Sequence, residues 1–185
     1  MKKIFIRVIA LAIAAMMLVP LMSGCGGKTM TVKVGVKLGQ DYISYKYAEA
    51  KANGQEDTFV IPQEDRTLIN DIEVEINYNE DDEVTVIRAI REACANVALN
   101  FETDSAGNSI HLIKTYTDFT FTPNASKPIE GYDKTLVFFW AFTVNGVEPD
   151  GRAGTVVVKD GDNIQITLSA QGADPNVKVP TGTEE

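Results

Sequence analysis

Apolar and polar positions alternate along this chain in short runs, interrupted once by a helical run. Thr29 to Leu38 sets Val32, Val34, Val36 and Leu38 against Lys33, Gly35 and Lys37, the period-two pattern of a half-buried strand. Asp71 to Tyr78 alternates likewise, with Ile72, Val74, Ile76 and Tyr78 opposite Glu73, Glu75 and Asn77. Between them, Asp41 to Ala50 carries Tyr42, Tyr45 and Tyr47 and reads as a further strand. Asn53 to Asp57 reads as a loop, and Phe59 to Pro62 as an edge or connection cut short by its proline. Ile87, Ile90, Cys94, Val97 and Ala98 then recur at three- and four-residue spacing, which predicts a helix over about Val86 to Leu99. Thr85 stands at its N-cap position. Glu80 to Glu83 place carboxylates before its positive end.

The second half is built around Leu136 to Leu168. Leu136 to Val144 is apolar at odd and even positions alike, which reads as a strand covered on both sides. Asn145-Gly146 supplies the positive φ angles of a tight turn. Val156 to Val158 leads to a second turn at Asp160 to Asn163, and Ile164, Ile166 and Leu168 then alternate with Gln165, Thr167 and Ser169. Ser109 to Phe121 reads as one or two strands and Pro123 to Asp133 as a loop. Residues 171–185 lack apolar periodicity and read as a disordered tail. Strands, one helix and more strands make an α+β domain, a mixed sheet with one helix packed across it.

The first residues alter the setting. Lys2, Lys3 and Arg7 precede an apolar core from Val8 to Val19, and Leu21-Met22-Ser23-Gly24-Cys25 follows. The apolar stretch is short for a membrane-spanning helix and has the layout of a signal peptide. The pentapeptide matches the bacterial lipobox, in which cleavage precedes a cysteine whose sulfur takes a diacylglycerol. The expected layout is a lipoprotein signal peptide at 1–24, a lipidated linker at 25–28, a domain at 29–170 and the tail at 171–185. Localisation follows: the outer, extracytoplasmic face of a bacterial cell membrane, held through lipid on Cys25. The net charge is −9, and losing Lys2, Lys3 and Arg7 makes the remainder three units more negative. Such an exterior argues against nucleic acid as a partner. The chain has two cysteines, so beside the anchor only Cys94 remains, and no internal disulfide framework is available.

Three segments in order carry a resemblance: Thr85-Val86-Ile87-Arg88-Ala89-Ile90, Trp140-Ala141-Phe142-Thr143-Val144-Asn145-Gly146, and Val158-Lys159-Asp160-Gly161-Asp162-Asn163-Ile164. Together they resemble the β-grasp domain at the C-terminus of transcobalamin and intrinsic factor, found also in bacterial surface lipoproteins. The resemblance covers about residues 70–170 and implies a β-grasp-like mixed sheet that binds a soluble ligand, with residues 28–70 as extra N-terminal strands. The animal proteins hold cobalamin between this domain and a helical barrel, for which this sequence shows no counterpart. The implied ligand is therefore cobalamin or another small molecule, and no resident cofactor is expected.

The residues offer little catalytic chemistry. His111 is the one histidine, in an expected strand with no nucleophile at motif spacing, and Cys94 lies on the apolar helix face as a small buried hydrophobe. Asp160-Gly161-Asp162-Asn163 and Glu80-Asp81-Asp82-Glu83 cluster oxygens but lack the spacing of a calcium loop, so they read as a turn and a helix entry. No metal site and no catalytic residue is assigned. The ligand-binding candidates are Trp140 and Phe142 on one face of their strand, with Asn145, Asp160 and Asp162 at the adjoining turns. Trp140 either offers an apolar face and an indole donor to a ligand or packs in the core. The expected function is a non-enzymatic ligand-binding lipoprotein; the alternative is a structural or adhesion module that meets a surface protein.

Overall fold

A computed structural model describes residues 27–59, 66–117, 119–121 and 136–171. The expected signal peptide, Cys25, the expected loop at 123–133 and the residues after Gln171 lie outside the described residues. The chain divides into two compact units. In the smaller, Met1–Thr29 with Asn77–Asp82, Lys28 pairs with Glu80 at 2.8 Å and the Thr29 hydroxyl donates to Asn77 Oδ1 at 3.0 Å. The larger, Met30–Ile76 with Glu83–Glu185, is described next.

The elements are β1 (Lys28–Leu38), α1 (Gln40–Ala52), a 3-10 turn (Glu56–Thr58), β2 (Thr67–Tyr78), α2 (Val86–Asn96), β3 (Phe101–Thr103), β4 (Ile110–Ile113), β5 (Tyr116–Thr117), β6 (Phe119–Phe121), β7 (Leu136–Val144) and β8 (Asn163–Gln171). One sheet has the order β2-β1-β8-β7-β6, and a small one the order β3-β4-β5. β1 runs parallel to β8, with Val34 beside Ile164 and Val36 beside Ile166, whereas β7 is antiparallel to both β8 and β6. The domain is α+β with a β-grasp-like mixed sheet.

Period-two alternation fixes the core. Val32, Val34, Val36 and Leu38 of β1, Ile164, Ile166 and Leu168 of β8, and Phe138 and Trp140 of β7 share one buried face. Burying a side chain of this size contributes roughly 1.5–3 kcal/mol relative to exposure, so this row outweighs any single polar contact below. From α2, Val86, Ile87, Ala89, Ile90, Ala93 and Cys94 are buried. The expected helix spans eleven residues and ends at Asn96, with Ala98 in a left-handed conformation at φ 55°. Thr85 is the N-cap, but its side chain makes no capping bond. The first donors are satisfied from afar instead: Val86 N–H donates to the Val156 carbonyl at 2.9 Å and Ile87 N–H to the Ala153 carbonyl at 3.0 Å. That is what Val156 to Val158 does here, since it forms a lone bridge between Thr85 and Val157 rather than a strand.

Three expectations are corrected. Asp41 to Ala50 is helical, not a strand, so two helices are present. Tyr42 and Tyr45 are one helical turn apart and both pack on Phe138, with ring centroids at 5.4 and 5.0 Å. Lys46 pairs with Glu49 within the same helix. Tertiary packing of the tyrosines overrides their strand propensity. Second, β7 is not covered on both sides. α1 joins the already buried face, and Phe139 on the other face is 39% exposed. Third, Ser109 to Phe121 holds three short strands, because Lys114 turns the chain at φ 61° between β4 and β5.

Two outcomes test this packing. Cys94 is 1% exposed and burial pushes its thiol up to about 11, so native protein should resist a thiol reagent at neutral pH and label only on denaturation; rapid native labelling would place the α2 face wrongly. A Cβ added at Gly39 would lie 2.7 Å from the Leu168 carbonyl oxygen, a backbone atom that cannot swing aside. Gly39→Ala should therefore lower stability by about 1–3 kcal/mol in denaturant unfolding.

Candidate functional site

Asn145, Asp160 and Asp162 come together at one end of the sheet, where they bond to one another and to backbone. Asn145 and Gly146 both have positive φ, 55° and 78°, as a hairpin turn of this type requires. Asn145 N–H donates to the Asn163 carbonyl at 2.7 Å, Asn163 N–H to Asn145 Oδ1 at 2.9 Å, and Asn145 Nδ2 to Asp162 Oδ1 at 2.8 Å. The other Asp162 oxygen accepts from Lys159 N–H at 2.7 Å. Asp160 Oδ1 accepts from Thr31 N–H at 2.7 Å, and Gly161 N–H returns a bond to the Thr31 carbonyl at 2.7 Å. The cluster ties the start of β1 to the turn before β8 and to the β7 turn. Its carboxylates serve the fold.

Trp140 and Phe142 do not join that cluster. Trp140 lies five residues before Asn145, about 17 Å along an extended strand. It is 8% exposed, on the covered face, with Leu168 as its cross-strand neighbour; Phe142 is half-buried beside Ile166. The Trp140 indole N–H is buried without a hydrogen-bond partner among the described residues. Such a donor costs about 1–3 kcal/mol. Nearby, Tyr42 stacks edge-on with Tyr116 at 6.0 Å, and burial, with Tyr116 and Glu49 adding to it, pushes the Tyr42 phenol up to about 12. Tyr42 and Cys94 are thus held protonated at neutral pH. His111 stands exposed on β4. Among the described residues no group of three or more His, Cys, Asp and Glu side chains converges on a common point.

The feature the sequence reading missed sits at the opposite end of β1. There the chain leaves the sheet at Leu38, bends at Gly39 and enters α1. Gly39 N–H donates to the Leu168 carbonyl at 2.8 Å. Asp41 then locks the helix start: Oδ1 accepts from Tyr42 N–H at 2.8 Å and Oδ2 from Ala170 N–H at 2.7 Å. The bend leaves a pocket of about 640 Å³, whose wall includes Lys37, Gln40, Asp41, Arg66, Thr167 and Ser169. That volume lies within the range of small-molecule sites. A local signal for the bend was present, since Gly39-Gln40-Asp41 has a permissive N-cap residue and an acid in the first turn. The tyrosines masked it.

The outer face continues from this pocket. Lys37 lies beside Thr167 and Thr167 beside Ala141, while Ser169 is opposite Phe139. Further along, Gln165 Nε2 donates to Asp71 Oδ1 at 2.7 Å across Gly35, where a Cβ would lie 2.7 Å from Gln165 Oε1.

Compared with known proteins, the chain matches no family model and no curated protein. Among solved structures it is similar to a "putative metal binding protein" from Ruminococcus gnavus, at 16% identity and a TM-score of 0.35, over 76% of this chain and 96% of that one. A likeness at this level does not bear on ligand or reaction.

Trp140 is the only tryptophan, so its emission reports this geometry directly. Emission should be blue-shifted and weakly quenched by acrylamide in ligand-free protein. A red-shifted, readily quenched signal would put the indole at an open surface.

Proposed function

We propose that the protein is an extracytoplasmic lipoprotein, anchored through Cys25, whose folded part is a non-enzymatic binding module for a small molecule. The observation that carries the reading is the pocket of about 640 Å³ at the β1–α1 bend, where hydroxyl, amide and charged side chains line a concave wall. The lipobox at Leu21 to Cys25 supports the anchor, and the resemblance to transcobalamin-like domains supports a soluble ligand, cobalamin included among those to be tried. This reading places the ligand in the pocket rather than at Trp140 and the turns, because Asn145, Asp162 and one oxygen of Asp160 bond within the fold.

The outer face, where Phe139 is 39% exposed, favours a second reading in which the module presents that face to another surface protein.

Cys25→Ser should shift the protein out of the membrane fraction and abolish incorporation of labelled fatty acid. A variant that still sediments with membranes would mean a different anchor. A small-molecule thermal-shift screen, cobalamin included, should give stabilisers whose effect is lost when the pocket is filled by Ser169→Trp. If stabilisation survives that substitution, the site is elsewhere.

A further inference from the structure

We infer that the pocket at the β1–α1 bend takes a small organic anion, its charged group meeting Lys37 and its apolar body resting on Phe139. This rests on the pocket being the ligand site and adds the class of ligand.

Charge is the first argument. The chain is acidic overall, with a net charge of −9, yet Lys37 stands in this wall with Asp41 as the one carboxylate among its described lining residues. Both Asp41 oxygens already accept backbone N–H bonds, from Tyr42 and from Ala170. Lys37 has no carboxylate within ion-pair distance among the described residues, as is true also of Lys51 and Lys159, but of these three only Lys37 lines the pocket. A solvated ammonium in a concave wall with hydroxyls beside it is suited to a carboxylate or a phosphate.

Shape is the second argument. Strand register sets Lys37 next to Thr167, and Ser169, which also lines the pocket, directly opposite Phe139. The hydroxyl of Ser169 therefore stands between a cationic end and an exposed aromatic ring. An ion without an apolar part would use the first and leave the second in water. A ring or short chain bearing one acidic group would use both, since covering apolar surface contributes roughly 25 cal/mol per Å².

The test uses the full chain extracted in neutral detergent, with isothermal titration at low salt. The probes are phenylacetate, phenyl phosphate, neutral phenylacetamide and inorganic phosphate. One of the two aromatic anions should bind, and which one binds separates a carboxylate from a phosphate ligand. Lys37→Gln, at an exposed position, should weaken that binding about tenfold, the loss of one charge-assisted contact. Phe139→Ala should weaken it several-fold, and Lys159→Gln, at the far turn, should leave it unchanged. Phenylacetamide binding as tightly as phenylacetate, with no effect of Lys37→Gln, would overturn the anion while leaving the pocket a ligand site. Binding of inorganic phosphate as tight as that of phenyl phosphate and indifferent to Phe139→Ala would overturn the apolar half. If no probe binds, the inference falls; the broader reading falls only if the thermal-shift screen also yields no ligand dependent on the pocket.

Discussion

Everything in this domain depends on β1 lying parallel to β8. β8 is the middle strand of the five-stranded sheet and β1 its neighbour, and their inward Val34, Ile164, Ile166 and Leu168 have no exposed surface. Both ends of the pairing are fastened. At one end Asp160 and Gly161 bond to Thr31, and Lys33 N–H donates to the Asp162 carbonyl. At the other, Gly39 bonds to Leu168 and Asp41 reaches Ala170. Parallel strands cannot be joined by a tight turn, so the chain between them must cross over. That crossover supplies both helices.

The fastening explains which surfaces remain open. Asp41 fixes where α1 begins, and Tyr42 and Tyr45 then bring the helix down on Phe138, on the face that already holds the core. The opposite face is left to Lys33, Lys37, Thr167 and Phe139, bridged by the Gln165–Asp71 bond over Gly35 and the Lys33–Asp71 ion pair. The pocket is where the bend from β1 into α1 fails to close against β8. Its position is a by-product of the topology, and its charge is a matter of which residues happen to stand at Lys37 and Arg66.

What was legible in the sequence was local. Alternation located β1, β2 and β8, because each has one face in the core and period two is a property of the strand itself, whereas β7 showed as a short continuous apolar run. The 3.6-residue spacing located α2 for the same reason. Asn145-Gly146 announced its turn, and its closeness to Asp162 followed once β7 and β8 were paired. What was not legible was contributed by distant residues. Tyr42 and Tyr45 favour strands in isolation and become helical through Phe138, almost a hundred positions away. The cap of α2 comes from carbonyls at Ala153 and Val156, not from Thr85. Trp140 advertised a binding face and is turned inward by the register of its strand. The pocket needed three segments, around Lys37, Arg66 and Ser169, and none has a pattern of its own.

The pairing of first strand with last also governs when this domain can form. Thr31 and Asp160 are 129 residues apart, and so are Asp41 and Ala170. Contact order is high, and the loop-closure entropy is spent before the central ladder exists. While β8 is missing, β1 has a vacant neighbour and an apolar face with nothing to complete it. A chain that emerges from its N-terminus thus cannot complete its core until the residues of β8 have also emerged, so the inward face of β1 waits uncovered through the whole interval.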